Sequence, residues 1–224
     1  MSILSVAIDG PGGAGKSTLA KRVAQKFGFA YVDTGAIYRT LGLAVFRAGK
    51  SVERTDEVMS VLSKAEIRLD YDGQGTQHMF LGAEDVSDKI REPQISAYAS
   101  ALSAFAEVRA ALLDMQREQA ALRSVVMDGR DIGTVVLPNA GLKLFLTASP
   151  EVRAYRRFRE LQEKGLQTTL EQVRKELCER DERDSKRAAA PLRRAEDAIL
   201  IDSSEMNLDQ VTDLVSVLVE QRLK

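Results

Sequence analysis

The sequence contains one cysteine, Cys178, and one histidine, His78. A lone cysteine cannot form an intramolecular disulfide or supply a multi-cysteine metal site, which is typical of proteins of the reducing cytoplasm. We interpret Cys178 as an inert thiol on a helix. His78 lies far in sequence from every motif described below, and we assign it no chemical role.

Long apolar segments and an excess of one charge are also missing. No stretch approaches the roughly 20 apolar residues of a membrane span, and the first ten residues have no charged segment of the kind that begins an export signal. Lysine and arginine number 32 against 33 acidic residues, a net charge of -1, which indicates no uniformly basic face for nucleic acid. We expect a cytoplasmic monomer that binds neither membrane nor nucleic acid, so any anion site must be built locally.

Short apolar runs alternate with helical patterns along the chain. The 224 residues allow a substantial core but are few for two ordinary domains, so we predict a single domain, 1–224. Runs typical of buried parallel strands lie at 3–8, 29–32, 124–127, 142–146 and 198–201. Helical periodicity lies between them, as at 17–27 and 104–122. This order predicts an α/β fold with a doubly wound, five-stranded parallel sheet.

Two segments depart from that alternation. In residues 39–103, two short runs flank Gly73-Gln74-Gly75, which predicts a small antiparallel hairpin among helices. Residues 151–196 are dense in both charges and have helical periodicity, which favours a mobile lid. We predict a core of 1–38, 104–150 and 197–224, an insert at 39–103 that holds a second substrate, and a lid at 151–196.

The strongest motif is a GxxxxGKS phosphate-binding loop between the first predicted strand and the first predicted helix. In such a loop, glycines let successive backbone N–H groups converge on phosphate oxygens, and the helix N-terminus adds positive potential. Lys16 is expected to reach the β- and γ-phosphates, and Ser17 to bind Mg²⁺. The predicted ATP-binding residues are Gly10, Pro11, Gly12, Gly13, Ala14, Gly15, Lys16, Ser17 and Thr18.

This loop alone leaves GTPases, ATPases, transport motors and small-molecule kinases open. The Asn-Lys-x-Asp motif expected of a switch GTPase is missing from the sequence, and a mechanical ATPase is usually larger.

Two further motifs follow strands and so lie near the same sheet edge. Arg39, in a segment that begins Asp33-Thr34-Gly35, suits a second phosphate; the alternative is a helix N-cap by Asp33 or Thr34 beside a surface arginine.

The second motif is Asp128-Gly129-Arg130-Asp131, which follows the third predicted strand. Asp128 is placed to hold magnesium directly or through water, and Arg130 and Asp131 emerge into the same crevice. A plain β-turn with exposed charges is the alternative.

A charged run in the predicted lid has a spacing that favours a binding role. At about 100° per residue, Arg180, Arg183, Asp184 and Arg187 fall on one helical face. Like charges so close repel unless an anion joins them, which favours a phosphate and ribose clamp over a solvated helix. The arginines of the preceding helix, Arg153, Arg156 and Arg157, are weaker candidates for assisting the triphosphate.

Together these motifs resemble the bacterial cytidylate kinase family over the whole chain. The matching pieces are IDGPGGAGKSTLAK, DTGAIYR, DVSDKIR, MDGRDIGTVV, LKLFLTASPEVRAYRR, ERDERDSKR, and APL followed by DAILIDSS. The hydroxyl position of DTGAIYR is often serine in the family and is Thr34 here.

The resemblance implies a reaction, ATP with CMP or dCMP giving ADP and the diphosphate with Mg²⁺, and a set of roles. Residues matching Arg39, Arg130 and Arg187 hold the acceptor phosphate, and those matching Arg180 and Asp184 hold the ribose. Those matching Ser100, Arg109 and Asp131 read the cytosine ring, and Thr34 joins the substrate-binding residues. We expect Lys16, Arg130 and Arg187 to act in catalysis, and Ser17 and Asp128 to hold the metal.

Two rival functions remain open. One is a kinase of the same fold that acts on another small phosphorylated or hydroxylated acceptor. The other is a nonenzymatic NTP-binding switch that uses its lid to bind a partner.

Overall fold

A computed structural model describes residues 3–224. By the density of their internal contacts the residues form two compact units, which are described separately. The first runs to Ala30 and resumes at Arg123, and the second is Tyr31–Leu122. In the part of the chain that the structure describes, no helix is both long and apolar enough to cross a bilayer.

Strands and helices alternate along the chain, as the apolar runs predict. The strands are β1 Ser5–Asp9, β2 Ala30–Asp33, β3 Ile67–Tyr71, β4 Gln77–Leu81, β5 Glu84–Asp85, β6 Val125–Gly129, β7 Leu142–Thr147 and β8 Ile199–Asp202. The helices are α1 Lys16–Phe27, α2 Thr34–Arg47, α3 Thr55–Leu62, α4 Pro93–Leu102, α5 Ala106–Leu122, α6 Pro150–Glu163, α7 Leu170–Lys186 and α8 Leu208–Leu223. A 3-10 turn, Lys89–Arg91, and a π-helical turn, Ile132–Val136, complete the list.

The main sheet has five strands in the order β2-β6-β1-β7-β8, which confirms the predicted α/β architecture. Strand β1 pairs in parallel with β6 and with β7, and Val6 is opposite both Val126 and Leu142. Residues 6–8 are completely buried, because a parallel strand covered by helices on both faces must be apolar throughout. The parallel register brings the carboxyl ends of β1 and β6 to the same edge of the sheet.

Local sequence explains the buried face of α1 and the starting points of α6 and α7. Leu19, Ala20 and Val23 are spaced to form one buried face of α1. In α6, the Ser149 side chain accepts a hydrogen bond from the Val152 N–H, and Pro150 occupies the first helical position. The side chain of Thr169 caps α7 in the same way.

The second unit packs four helices with a three-stranded antiparallel sheet, β3-β4-β5. Strands β3 and β4 form the predicted hairpin, with Leu69 opposite Met79. The two-residue strand β5 was not predicted, because it is too short to produce an alternating pattern. The predicted helix at 104–122 begins at Ala106 and is preceded by a separate helix, α4. The core of this unit contains Ile37, Leu41, Met79, Ile95, Leu102 and Leu112.

His78 lies between two carboxylates of the small antiparallel sheet region. Its Nδ1 lies 2.7 Å from Asp85 Oδ2, and its Nε2 lies 3.5 Å from Asp72 Oδ2. The hydrogen bond with Asp85 is the main cause that raises the pKa of His78, and the charges of both carboxylates add to it. The imidazolium therefore stabilises the folded hairpin.

We expect this contribution to depend on pH. Because the pKa of His78 is higher in the folded than in the unfolded protein, its stabilisation is complete below about pH 6.5 and is lost as the pH rises through the folded-state value. The stability difference between the wild type and His78→Gln, measured by urea unfolding, should therefore shrink as the pH rises above about 6.5. Parallel stability curves for the two proteins would contradict the ion pairs.

Candidate active site

The GxxxxGKS motif forms the loop between β1 and α1. Gly10 has a φ of 148°, and a Cβ at this position would lie 1.9 Å from the Leu146 carbonyl oxygen, so no other residue fits. Helix α1 begins at Lys16, and Ser17 and Thr18 are exposed in its first turn. The loop therefore has the strand-loop-helix setting that phosphate binding by backbone N–H groups requires.

Lys16 is folded back onto this loop. Its Nζ donates a 2.8 Å hydrogen bond to the Pro11 carbonyl, and the residue is only 5% exposed. Burial and, to a smaller extent, the nearby charge of Arg130 lower the pKa of Lys16 to about 7, against the opposing charge of Asp128. An anion bound beside Lys16 would favour its charged form.

Ser17, in the first turn of α1, and Asp128, near the end of β6, are in direct contact. The Ser17 Oγ donates to Asp128 Oδ2 at 2.9 Å, and Asp128 is buried at the end of β6. Hydroxyl and carboxylate oxygens are the hard ligands that Mg²⁺ prefers, so this pair fits that ion. Among residues 3–224 no group of three or more histidine, cysteine, aspartate or glutamate side chains could hold a metal. In proteins, Mg²⁺ usually takes several of its ligands from phosphates and water.

Arginine and carboxylate side chains form ion pairs at the charged run of the predicted lid. Arg130 Nε donates to Asp184 Oδ2 at 2.8 Å, Arg180 Nε lies 3.9 Å from the same oxygen, and Arg187 Nη2 lies 3.3 Å from Asp131 Oδ1. Burial would by itself raise the pKa of Asp184, but the charges of Arg130 and Arg180 hold it below its usual value. Asp184 therefore stays ionised between its arginines.

One step of the sequence argument is wrong. Helix α7 ends at Lys186, and Arg187 is extended with a φ of -61° and a ψ of 140°, so it does not share a helical face with Arg180. Arg183 is exposed. Arg187 instead reaches Asp131 from the segment after the helix, where its Nε donates to the Ala190 carbonyl at 2.7 Å.

The other predicted substrate residues lie in the second unit. Asp33 is the N-cap of α2, accepting from the Ala36 N–H at 3.0 Å, and it also binds Arg39 Nη2 at 2.7 Å. The N-cap alternative is thus correct for Asp33, but Arg39 is an ion-pair partner and not a free surface side chain. Thr34 is buried at the start of α2.

Three polar groups of the second unit bear on the predicted base and phosphate contacts. Arg109 lies 5.6 Å from the ring centroid of Tyr38 and donates to the Ser103 carbonyl at 3.3 Å. Within residues 3–224, the buried Ser100 Oγ and Arg39 Nε have no hydrogen-bond partner. Buried polar atoms in this state are costly unless a ligand or water completes them.

Comparison with known proteins decides the family. A sequence profile described as "Cytidylate kinase" matches residues 6–221 of this chain. The chain belongs to the cytidylate kinase family. A cytidylate kinase from Caldicellulosiruptor bescii is 47% identical over 215 residues, 96% of this chain and 95% of the relative. A cytidylate kinase from Streptococcus pneumoniae is 42% identical over 223 residues, 100% of both chains.

One solved structure supports the fold of this cytidylate kinase family member. The crystal structure of an uncharacterized protein from Eubacterium ventriosum ATCC 27560 matches with a TM-score of 0.55. It covers 97% of this chain and 98% of that chain at 12% identity. At that identity the match shows the fold alone.

Sequence reasoning on this family member missed several site residues. Asp9 ends β1 and accepts hydrogen bonds of 2.7 Å from the N–H groups of both Ile132 and Gly133. Asp181 was also missed; it binds the phosphate-binding loop together with Arg153, one of the three weaker arginine candidates. Of the other two candidates, Arg156 donates to the Ser203 carbonyl at 2.7 Å, and Arg157 pairs with Glu160. The one usable signal was that Asp9 directly precedes the GxxxxGKS motif, at the end of a buried strand.

Asp9 fixes the turn that follows Asp131. It is 4% exposed, and this burial raises its pKa to about 6, although the two N–H donors oppose the shift. In Asp9→Asn, the amide oxygen can accept only one of the two bonds, and the NH₂ group would face the other donor. We expect kcat/KM for CMP to fall about tenfold, the effect of one unsatisfied buried N–H. Asp197→Asn, an exposed carboxylate paired with Lys143, is the control and should stay within about twofold. Equal activity of both variants would contradict this role.

Proposed function

We propose that the chain transfers the γ-phosphoryl group of ATP to CMP and dCMP, giving ADP and CDP or dCDP. The observation that carries the proposal is the convergence, in one unit, of the phosphate-binding loop, the Ser17–Asp128 pair and the arginine-carboxylate cluster. Membership of the cytidylate kinase family supports the choice of acceptor. We further propose that the protein acts as a cytoplasmic monomer.

The donor side is the work of the phosphate-binding loop. Backbone N–H groups of residues 13–18 would bind the α- and β-phosphates at the N-terminus of α1. Lys16 would leave its contact with the Pro11 carbonyl and reach the β- and γ-phosphates, where its charge opposes the negative charge that develops in transfer. Ser17 and Asp128 would hold Mg²⁺, which neutralises phosphate charge when bound.

The acceptor side needs orientation rather than a base. The phosphate of CMP is largely ionised near neutral pH, because its second pKa is about 6. One of its oxygens forms a bond to the γ-phosphorus, the bond from that phosphorus to the β–γ bridging oxygen breaks, and ADP leaves with the electron pair. Arg39, Arg130 and Arg187 would hold the acceptor phosphate in line, and this positioning supplies the catalysis. Arg180 and Asp184 would bind the ribose.

The test is ADP release, measured with a coupled assay and a panel of acceptors. We expect turnover with CMP and dCMP, weaker turnover with UMP, and little with AMP, GMP or shikimate. Strong preference for another acceptor would show a kinase of the same fold with a different substrate. ATP binding without any acceptor-dependent turnover would show a nonenzymatic switch. Either result would overturn the proposal.

A further inference from the structure

Two lid residues form a closed ring of hydrogen bonds with Gly12 of the phosphate-binding loop. The Gly12 N–H donates to Asp181 Oδ1 at 3.0 Å, and the Gly12 carbonyl accepts from Arg153 Nη1 at 2.9 Å. The same Arg153 nitrogen binds Asp181 Oδ2. The ring therefore joins three separate elements: the loop, α6 and α7.

Atoms of α6 and α7 also pack closely against the phosphate-binding loop. A Cβ on Gly12 would lie 3.0 Å from Leu177 Cδ2 of α7, and a Cβ on Gly13 would lie 2.9 Å from the Arg153 carbonyl oxygen. Gly13, with a φ of 73°, is thus required for this close contact with α6, whereas a side chain on Gly12 would need Leu177 to shift. Arg153 is further fixed by donating from Nε to the Ala148 carbonyl at 2.9 Å.

Helix α7 buries few of its own side chains. Of its 17 residues, all within the described part of the chain, only Val173 and Asp184 are fully buried. Burial of a single valine supplies little of the hydrophobic stabilisation that usually docks a helix. The side chains of Arg153 and Asp181 are 8% and 17% exposed, so their charge pair is largely shielded from water. A shielded, hydrogen-bonded charge pair is stronger than one on the surface.

We propose that Asp181 and Arg153 are positioning residues that dock α7 on the phosphate-binding loop. Arg180 precedes Asp181, and Asp184 lies one turn further along the helix, so the docked ring fixes where both side chains are held. This inference rests on the proposed function, in which Arg180 and Asp184 bind the acceptor. Without the ring, α7 samples undocked positions, transfer slows, and water reaches the bound triphosphate.

The decisive variant is Asp181→Ala, with Glu182→Ala as its matched control. Glu182 is the next residue on the same helix, is exposed, and pairs only with Lys186 at the surface in the contacts described. For Asp181→Ala we expect kcat with CMP to fall about tenfold while KM for ATP does not rise, because the lost group does not bind ATP and its negative charge lay beside the loop. ATP hydrolysis without acceptor, relative to transfer, should rise about tenfold. Asp181→Asn keeps an acceptor for the Gly12 N–H and should fall between the two.

A second measurement does not depend on turnover. Amide hydrogen exchange of 170–186 in the ligand-free protein should be faster in Asp181→Ala than in Glu182→Ala, because an undocked helix opens more often. If Asp181→Ala does not fold, the same comparison is made with Asp181→Asn and Glu182→Gln. A wild type that fails to phosphorylate CMP would overturn the proposed function. A wild type that does so, with identical exchange and kcat in the 181 and 182 variants, would overturn the docking role alone.

Discussion

Replacing Lys16 with methionine should lower kcat/KM for CMP phosphorylation by about 10³-fold and leave the protein folded. Methionine keeps an apolar stem of similar length but removes the charge that meets the developing phosphoryl charge. The same change should raise the melting temperature of the ligand-free protein. Lys16 is buried and its pKa is lowered to about 7, so its charged form is less favourable in the folded than in the unfolded state.

This combination of lost activity and gained stability separates a catalytic role from a structural one. The matched control is Lys21→Met, on the exposed side of the same helix, which should retain activity within about twofold. Steady-state kinetics and a thermal melt of the three proteins suffice. Turnover of Lys16→Met near the wild-type rate would contradict the assignment of the loop to ATP. A large loss of stability would show that Lys16 mainly supports the fold.

The parts of the fold that could be predicted are those determined by residues close together in the sequence. The five strands of the main sheet coincide with short apolar runs, because strands buried on both faces, such as β1 and β6, are mostly apolar. The phosphate-binding loop follows from its glycine spacing, since the backbone conformation at Gly10 admits no side chain. The hairpin around Gly73-Gln74-Gly75 likewise follows from turn residues between two apolar runs.

The contacts that were not predictable join residues far apart in the chain. Gly12 and Asp181 are separated by 169 positions, and Asp9 and Gly133 by 124, so no periodicity links them. The end of α7 was missed for a different reason. Glu182, Arg183 and Lys186 all have good helix propensity, and Pro191 stands too far on to mark the stop.

Residues of the charged run form ion pairs with Arg130 and Asp131, which are distant in sequence. Repulsion among Arg180, Arg183 and Arg187 had indicated an anion. In the structure Arg187 is paired with Asp131, and Asp184 of the same run is paired with Arg130. Each guanidinium is thus oriented by a buried carboxylate before any substrate arrives. Such preorganisation lowers the entropy that binding would otherwise lose, and it lets a phosphate meet side chains already in place.

Asp131 offers the sharpest test of base choice. Cytosine presents a donor at its exocyclic N4, whereas uracil presents an acceptor at O4, so a carboxylate favours the first and repels the second. Asp131→Asn has nearly the same size, and its amide can turn an N–H group toward O4. We expect the ratio of kcat/KM for CMP to that for UMP to fall on the order of a hundredfold, since mismatched buried polar groups cost a few kcal/mol. Initial rates with both monophosphates at saturating ATP give this ratio.

The ratio matters because Asp131 also binds Arg187. Any damage to the phosphate contact through Arg187 falls equally on CMP and UMP, which carry the same phosphate, and it cancels in the comparison. Asp184→Asn is the matched control, since Asp184 is an equally buried carboxylate paired with Arg130 and we assign it to the ribose. It should lower both activities and leave their ratio unchanged. If Asp131→Asn also leaves the ratio unchanged, Asp131 orients Arg187 without reading the base, and the cytosine contact belongs to other residues.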